Sequence, residues 1–184
     1  AHIVLDGCAI TGTTFGTGYE EHQGGTYEKS EQLDADCTGF ETLCKALGAS
    51  QVASISLKKC YLGPQALPPL AKAIKFMAVV SSLAISGNFL FGSKNKGKFD
   101  LTQVHDVDKD QSGWNNLCEQ LKVSNITSFT ASDIGMGPVA LRTLATSLPA
   151  ALTKIDVRNN TRLDADSLKT LKVAAPQGCE ILCD

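Results

Sequence analysis

The chain has 184 residues, enough for one domain with a sizeable core. Hydrophobic residues make up 43% and charged residues 20%, which excludes a disordered chain. A formal net charge of −2 leaves no basic excess for nucleic acid, and no apolar run approaches the roughly 18 residues of a membrane span.

Self-similarity organises the rest. Leu33–Ile74 laid over Val107–Leu148, an offset of 74, gives 14 identities in 42 positions without a gap. Asp34, Asp36, Gly39, Cys44, Gly63 and Pro64 are among the residues that recur. The chain contains a tandem duplication. Inside it runs a shorter frame, L-x-x-L-x-L-x-x-N/C-x-L.

In chain order, the frame opens on Ile3, Leu5, Cys8 and Ile10. It returns at Val52, Ile55, Leu57, Cys60 and Leu62, followed by Leu67, Leu70, Ala71 and Ile74 at helical spacing. It fits Val80, Leu83, Ile85, Asn88 and Leu90, then Ile126, Phe129, Ala131, Ile134 and Met136. Leu152, Ile155, Val157 and Asn160 carry it again, and Cys179, Ile181 and Cys183 read as a last half-repeat strand. The middle apolar residues are separated by 52, 28, 46 and 26, so two units hold insertions, approximately 11–32 and 91–106. Removing them leaves a period of about 28 and five units, approximately 1–49, 50–77, 78–123, 124–149 and 150–184.

Each unit therefore predicts a short strand, whose side chains alternate, and a helix with one apolar face. Pro68 and Pro69 fall in the first turn of their helix, which is expected to open near Gln65. Neither face can be buried alone. Stacked units close a core between a parallel sheet and a row of helices, and the wider helices put the strands on the concave side. The expectation is an α/β solenoid, a horseshoe segment of about five strand–helix units. Because Ala1 falls almost inside a strand, the chain reads as a fragment or a processed product.

The stretch I-S-L-K-K-C-Y-L-G-P-Q-A-L-P-P-L-A-K-A-I at 55–74 and its counterparts resembles the ribonuclease-inhibitor-like subfamily of leucine-rich repeat proteins. The resemblance covers almost the whole chain outside the insertions. It implies protein binding through the concave face and loops, an intracellular location and no catalysis. None of the family's functional residues matches a position here.

Seven cysteines without a C-x-x-C pair read as buried thiols of a reducing, cytoplasmic compartment, with Cys179 and Cys183 the pair closest to a disulfide. Gly12–Gly18 invites a phosphate-loop reading, but Tyr19 and Glu20 stand where Lys and Ser or Thr belong, so it reads as a flexible insertion. Asp106, Asp108 and Asp110 alternate like the start of an EF-hand, yet Gln111 and Leu117 occupy its Gly and Glu positions. Asp110 and Asp36 read as caps of helices opening at Ser112 and Thr38, with a fortuitous calcium site as the alternative. His2, His22 and His105 sit in no catalytic motif, and no cofactor is expected.

The expected function is a non-catalytic module that binds another protein; the alternative is a structural subunit of a large assembly. The concave strand faces are small and polar, with Lys58, Lys59, Asp133, Asp156 and Arg158 as their candidates. The insertions carry Phe15, Tyr19, Tyr27, Phe91 and Phe99, five of eleven aromatics, together with Lys94, Lys96 and Lys98. Both leave at the C-terminal end of a strand, so both are expected to project from one rim. That rim is the preferred partner surface.

Overall fold

A computed structural model describes residues 1–20, 25–93 and 106–184. Six three-residue strands form one open parallel sheet: β1 (His2–Val4), β4 (Ser54–Ser56), β5 (Ser82–Ala84), β6 (Ser128–Thr130), β7 (Lys154–Asp156) and β8 (Glu180–Leu182). Each pairs with the next in that order. The central residues align across the whole sheet, Ile3 on Ile55, then Leu83, Phe129, Ile155 and Ile181. These are the middle apolar positions of the sequence frame. In β4, β5 and β6 the centre is buried and both flanks are half-exposed, as the two-residue period requires.

After each of the first five strands of the sheet the chain turns through a left-handed residue at the same place. Gly7, Lys59, Gly87, Asp133 and Asn159 have φ of 80°, 54°, 70°, 52° and 60°. Amides there continue the ladder, as in Gly7 N–H to the Lys58 carbonyl and Gly87 N–H to the Ser132 carbonyl.

Five α-helices cover one face of the sheet: α1 (Thr38–Gly48), α2 (Leu67–Phe76), α3 (Ser112–Lys122), α4 (Pro138–Ala145) and α5 (Ala165–Ala174). A single turn of 3-10 helix, Pro64–Ala66, leads into α2, so Pro68 and Pro69 lie in the first turn of α2, where their missing N–H groups cost nothing. Each helix packs on its neighbours. The core is mostly aliphatic, with Trp114 at its middle; the indole N–H donates to the Ala140 carbonyl at 3.0 Å.

Two asparagines hold the turns. Asn88 Oδ1 accepts from the amides of Cys60 and Leu62, and its Nδ2 donates to the carbonyls of Leu57 and Ile85. Asn160 repeats this for Ile134, Met136, Ala131 and Val157. Cys60, at the same frame position, donates its thiol to the Leu5 carbonyl at 3.0 Å.

Two further strands, β2 (Thr14–Glu20) and β3 (Gly25–Gln32), pair antiparallel as a separate hairpin within the first insertion. The Gly12–Gly18 stretch is thus not a flexible loop but the entry to a strand. Thr14, Phe15, Thr17 and Tyr19 have the β-branched and aromatic character that favours one.

The thiols also depart from expectation. All seven are free, yet only Cys44, Cys60 and Cys118 are buried; Cys8 is exposed, and Cys37, Cys179 and Cys183 are half-buried. Cys179 and Cys183 bracket β8 rather than pairing. Among the described residues no helix is long and apolar enough to cross a membrane.

Candidate interaction surface

Both insertions leave the sheet through matching necks. The Asp36 amide donates to the Thr11 carbonyl at 3.0 Å, and the Asp110 amide, 74 residues on, donates to the Phe91 carbonyl at 3.2 Å. Two residues further out, hydroxyls reinforce each neck. Thr13 Oγ1 accepts from the Asp34 amide and donates to the Tyr61 carbonyl, while Ser93 Oγ donates to the Asp106 carbonyl at 2.7 Å. Gly12, with φ of 64°, lies so close to Asp36 that a Cβ would sit 2.9 Å from its nitrogen.

The returning chains then reach forward to the next unit. Asp34 accepts from the amides of Gly63, Gln65 and Ala66 at 2.8, 2.9 and 3.1 Å, satisfying the opening of the 3-10 turn before α2. Asp108 does the same at α4, accepting from Gly137 and Val139, both at 2.8 Å. Gly63 and Gly137 have no Cβ because one would strike these carboxylates. Asp36 and Asp110 serve their own helices, accepting from the amides of Thr38 at 2.9 Å and Ser112 at 3.0 Å. The hydrogen bond from Thr38 holds the Asp36 carboxyl below its ordinary value of 3.8.

The three aspartates of the calcium alternative are placed as follows. Asp108 spends both oxygens on helix amides and Asp110 spends one, while Asp106 is exposed. Among the described residues no group of three His, Cys, Asp or Glu side chains is placed to hold a metal ion.

The two insertions meet over the turns that follow β4 and β5. Phe89 is buried there, packed by Phe15 and Leu33 from the first insertion and its return, Val107 from the second, and Tyr61. The Phe15 ring stands edge-on to Tyr61 at 4.9 Å and tilted to Phe89 at 6.4 Å. Phe15 thus anchors the hairpin base and is only half-exposed.

Phe91 belongs elsewhere. It is fully buried in the main core, 5.2 Å from Trp114, and presents nothing to a partner. It follows Leu90 directly and still belongs to the unit's framework; the second insertion departs beyond it. Tyr19 and Tyr27 lie in β2 and β3, but their side chains are outside the described residues, as are Lys94, Lys96, Lys98 and Phe99 entirely.

The polar sheet face is differently built. Of its five candidates only Asp156 lies in a strand; Lys58, Lys59, Asp133 and Arg158 occupy the turns. Charges there pair among themselves. Arg158 meets Asp156 at 2.7 Å, Lys154 meets Glu180 at 2.9 Å, and Asp6 accepts from Ser56 Oγ at 2.6 Å and the Lys58 amide at 2.9 Å.

The thiols offer no activated nucleophile among those that shift. Burial pushes Cys44 and Cys118 up to about 12 and Cys37 and Cys60 up to about 11, and raises Cys179 as well. A thiol must fall, not rise, to react at neutral pH.

No protein-family model matches the chain, and no curated protein matches it in sequence. The forward reach of Asp34 and Asp108 escaped the sequence reading, which assigned capping to Asp36 and Asp110 alone. The signal was present: Asp34 with Gly63 and Asp108 with Gly137 are duplicated pairs at one offset.

Proposed function

We propose that the chain is a leucine-rich repeat segment of the ribonuclease-inhibitor-like type, working as a non-catalytic module that binds another protein. The strands stacked in chain order, the asparagines that hold the turns and the period of about 28 support the solenoid reading. The concave side of the horseshoe corresponds to the polar sheet face, and the free thiols accord with an intracellular, reducing location.

One observation carries the choice of surface. Two insertions, fixed by equivalent necks, converge on Phe89 and stand together at the strands' C-terminal ends. Long insertions on a rigid scaffold are where recognition residues concentrate. The sheet face instead offers small side chains and charges already paired within the chain.

The test shortens the hairpin. Replacing 17–28 by Asn-Gly keeps Phe15 on Phe89 and joins the strands by a two-residue turn. Used as bait beside the wild type, this variant is expected to lose the proteins the wild type retains, while its unfolding midpoint stays close to the parent's. If instead it retains them, and they are lost on replacing Lys58, Asp156 and Arg158 by Ala, the partner surface is the sheet face.

A further inference from the structure

A small cavity of about 230 Å³ with a mixed polar and apolar lining lies where the two insertions meet the start of α2. Three distant pieces of chain form it: Ser30, Glu31 and Asp34 at the end of β3, Gln65 at the 3-10 turn, and Gly92 and Asp110 at the second neck. Its lining holds three carboxylates and no lysine, arginine or histidine.

The cavity contains an unmet group. Ser30 is 3% exposed, and its hydroxyl has no hydrogen-bond partner among the described residues. A buried hydroxyl left this way opposes folding until another group meets it. Glu31 likewise makes no hydrogen bond or ion pair among the described residues, its side chain lying across Gly16, where a Cβ would overlap it. Asp110 commits one oxygen to Ser112 and, among the described residues, leaves the other.

The chemistry narrows the ligand. An anion is disfavoured, because Asp34 already occupies the helix-opening amides that would bind one, and the remaining charge is negative. A metal ion would need carboxylates converging on one point, and among the described residues none do. Cofactor pockets begin at about 300 Å³, so this cavity suits the end of one long side chain. A planar cation with several fixed donors can meet a hydroxyl and two carboxylates at once, which is the geometry of guanidinium rather than ammonium. Leu33 and Pro64 supply an apolar wall for its stem.

We propose that this cavity receives an arginine side chain of the partner protein. The proposal rests on the rim being the partner surface, and it supplies that surface with an anchor. Arginine is among the residues that dominate binding energy at protein interfaces.

The probe is N-acetyl-arginine methylamide, titrated at low ionic strength into the isotopically labelled protein, with the neutral citrulline analogue and methyl phosphate as controls. The arginine probe is expected to move the amide resonances of Ser30, Gln65 and Gly92 saturably, and the controls are not. Glu31→Gln, an exposed isostere, should weaken that binding about fivefold, the equivalent of about 1 kcal/mol for one ion pair, while resonances elsewhere stay in place. An equal response to citrulline, a preference for methyl phosphate, no saturable response to arginine, or unchanged affinity in Glu31→Gln overturns the proposal. The shortened hairpin retains Ser30 and Glu31, so the two readings fail separately. Arginine binding with undiminished partner capture by that variant removes the rim and keeps the cavity; lost capture without arginine binding does the reverse.

Discussion

Asn88 stands at the centre of the fold's residue-scale logic, with a single fully buried amide serving four backbone groups of two adjacent units. Truncating it strands two N–H and two carbonyl groups away from water, each a buried polar group without a partner. Asn88→Ala should therefore lose about 2–4 kcal/mol in urea unfolding, a large effect for one side chain, and Asn160→Ala a similar amount. Loss of only a few tenths would show that water replaces the amide. Asp156 offers a second residue-scale test, in pH. Burial alone would raise its carboxyl, but the hydrogen bonds and charge of Arg158, with Lys154 beyond, outweigh it and hold the group below 3.8. A carboxylate lowered on folding contributes its full stability above its unfolded pKa and loses it as pH falls through the folded value. The stability gap between wild type and Asp156→Asn should be constant above about pH 5 and close progressively below the unfolded carboxylate value of about 3.9. A gap that persists unchanged at low pH would remove the charge from the account.

At the scale of elements, duplicated positions take different surroundings. Gly39 and Gly113 are the same residue of α1 and α3, 74 apart, and each sits in the first turn of its helix. A Cβ at Gly39 would meet nothing within 4 Å, whereas one at Gly113 would collide with the Pro64 carbonyl and come within 2.9 Å of Leu67 Cβ. Gly39→Ala should stabilise by up to about 1 kcal/mol through helix propensity, and Gly113→Ala should destabilise by about 1–3 kcal/mol by prising α3 from α2. Thermal or urea melts of the two variants give the signs directly, and equal signs would refute the packing argument. The same contrast explains what the sequence could disclose. The central strand residues and the helical apolar faces repeat with a period, so Ile3, Ile55, Leu83, Phe129 and Ile155 were all placed in strands that the structure contains. The hairpin was not legible, because β2 and β3 repeat nothing else in the chain. Phe91 was misplaced because its neighbour Leu90 ends the periodic frame, and nothing in spacing distinguishes the first insertion residue from the last framework one. The cavity beside Ser30 was invisible, since it joins pieces as far apart as β3 and the second neck.

For the whole molecule, order in space follows order in sequence, and in the solenoid we propose each unit owes its stability to its two neighbours. Within residues 1–184, the first and last units are each covered from one side. Only Ser167 and Leu171 of α5 are buried, β8 is at most half-buried, and β1 is exposed at both flanks. The centre, with Trp114 enclosed by Phe91 and Phe129, is fully covered. Amide hydrogen exchange should therefore be slowest in β5, β6 and α3 and faster by about two orders of magnitude in β1, α5 and β8, a difference of about 3 kcal/mol in opening free energy. Uniform protection along the chain would mean that it opens as one unit. The paired necks have a consequence for how such a protein changes over generations. Each insertion is closed by one amide–carbonyl bond at a fixed register, and the strands on either side pair as though it were absent: Ile3 with Ile55, and Leu83 with Phe129. Doubling the length of a closed loop costs only about 0.6 kcal/mol. The stretch between Phe15 and Ser30, and the segment beyond Ser93, can therefore change in length at small cost while the strand register beneath them stays as it is.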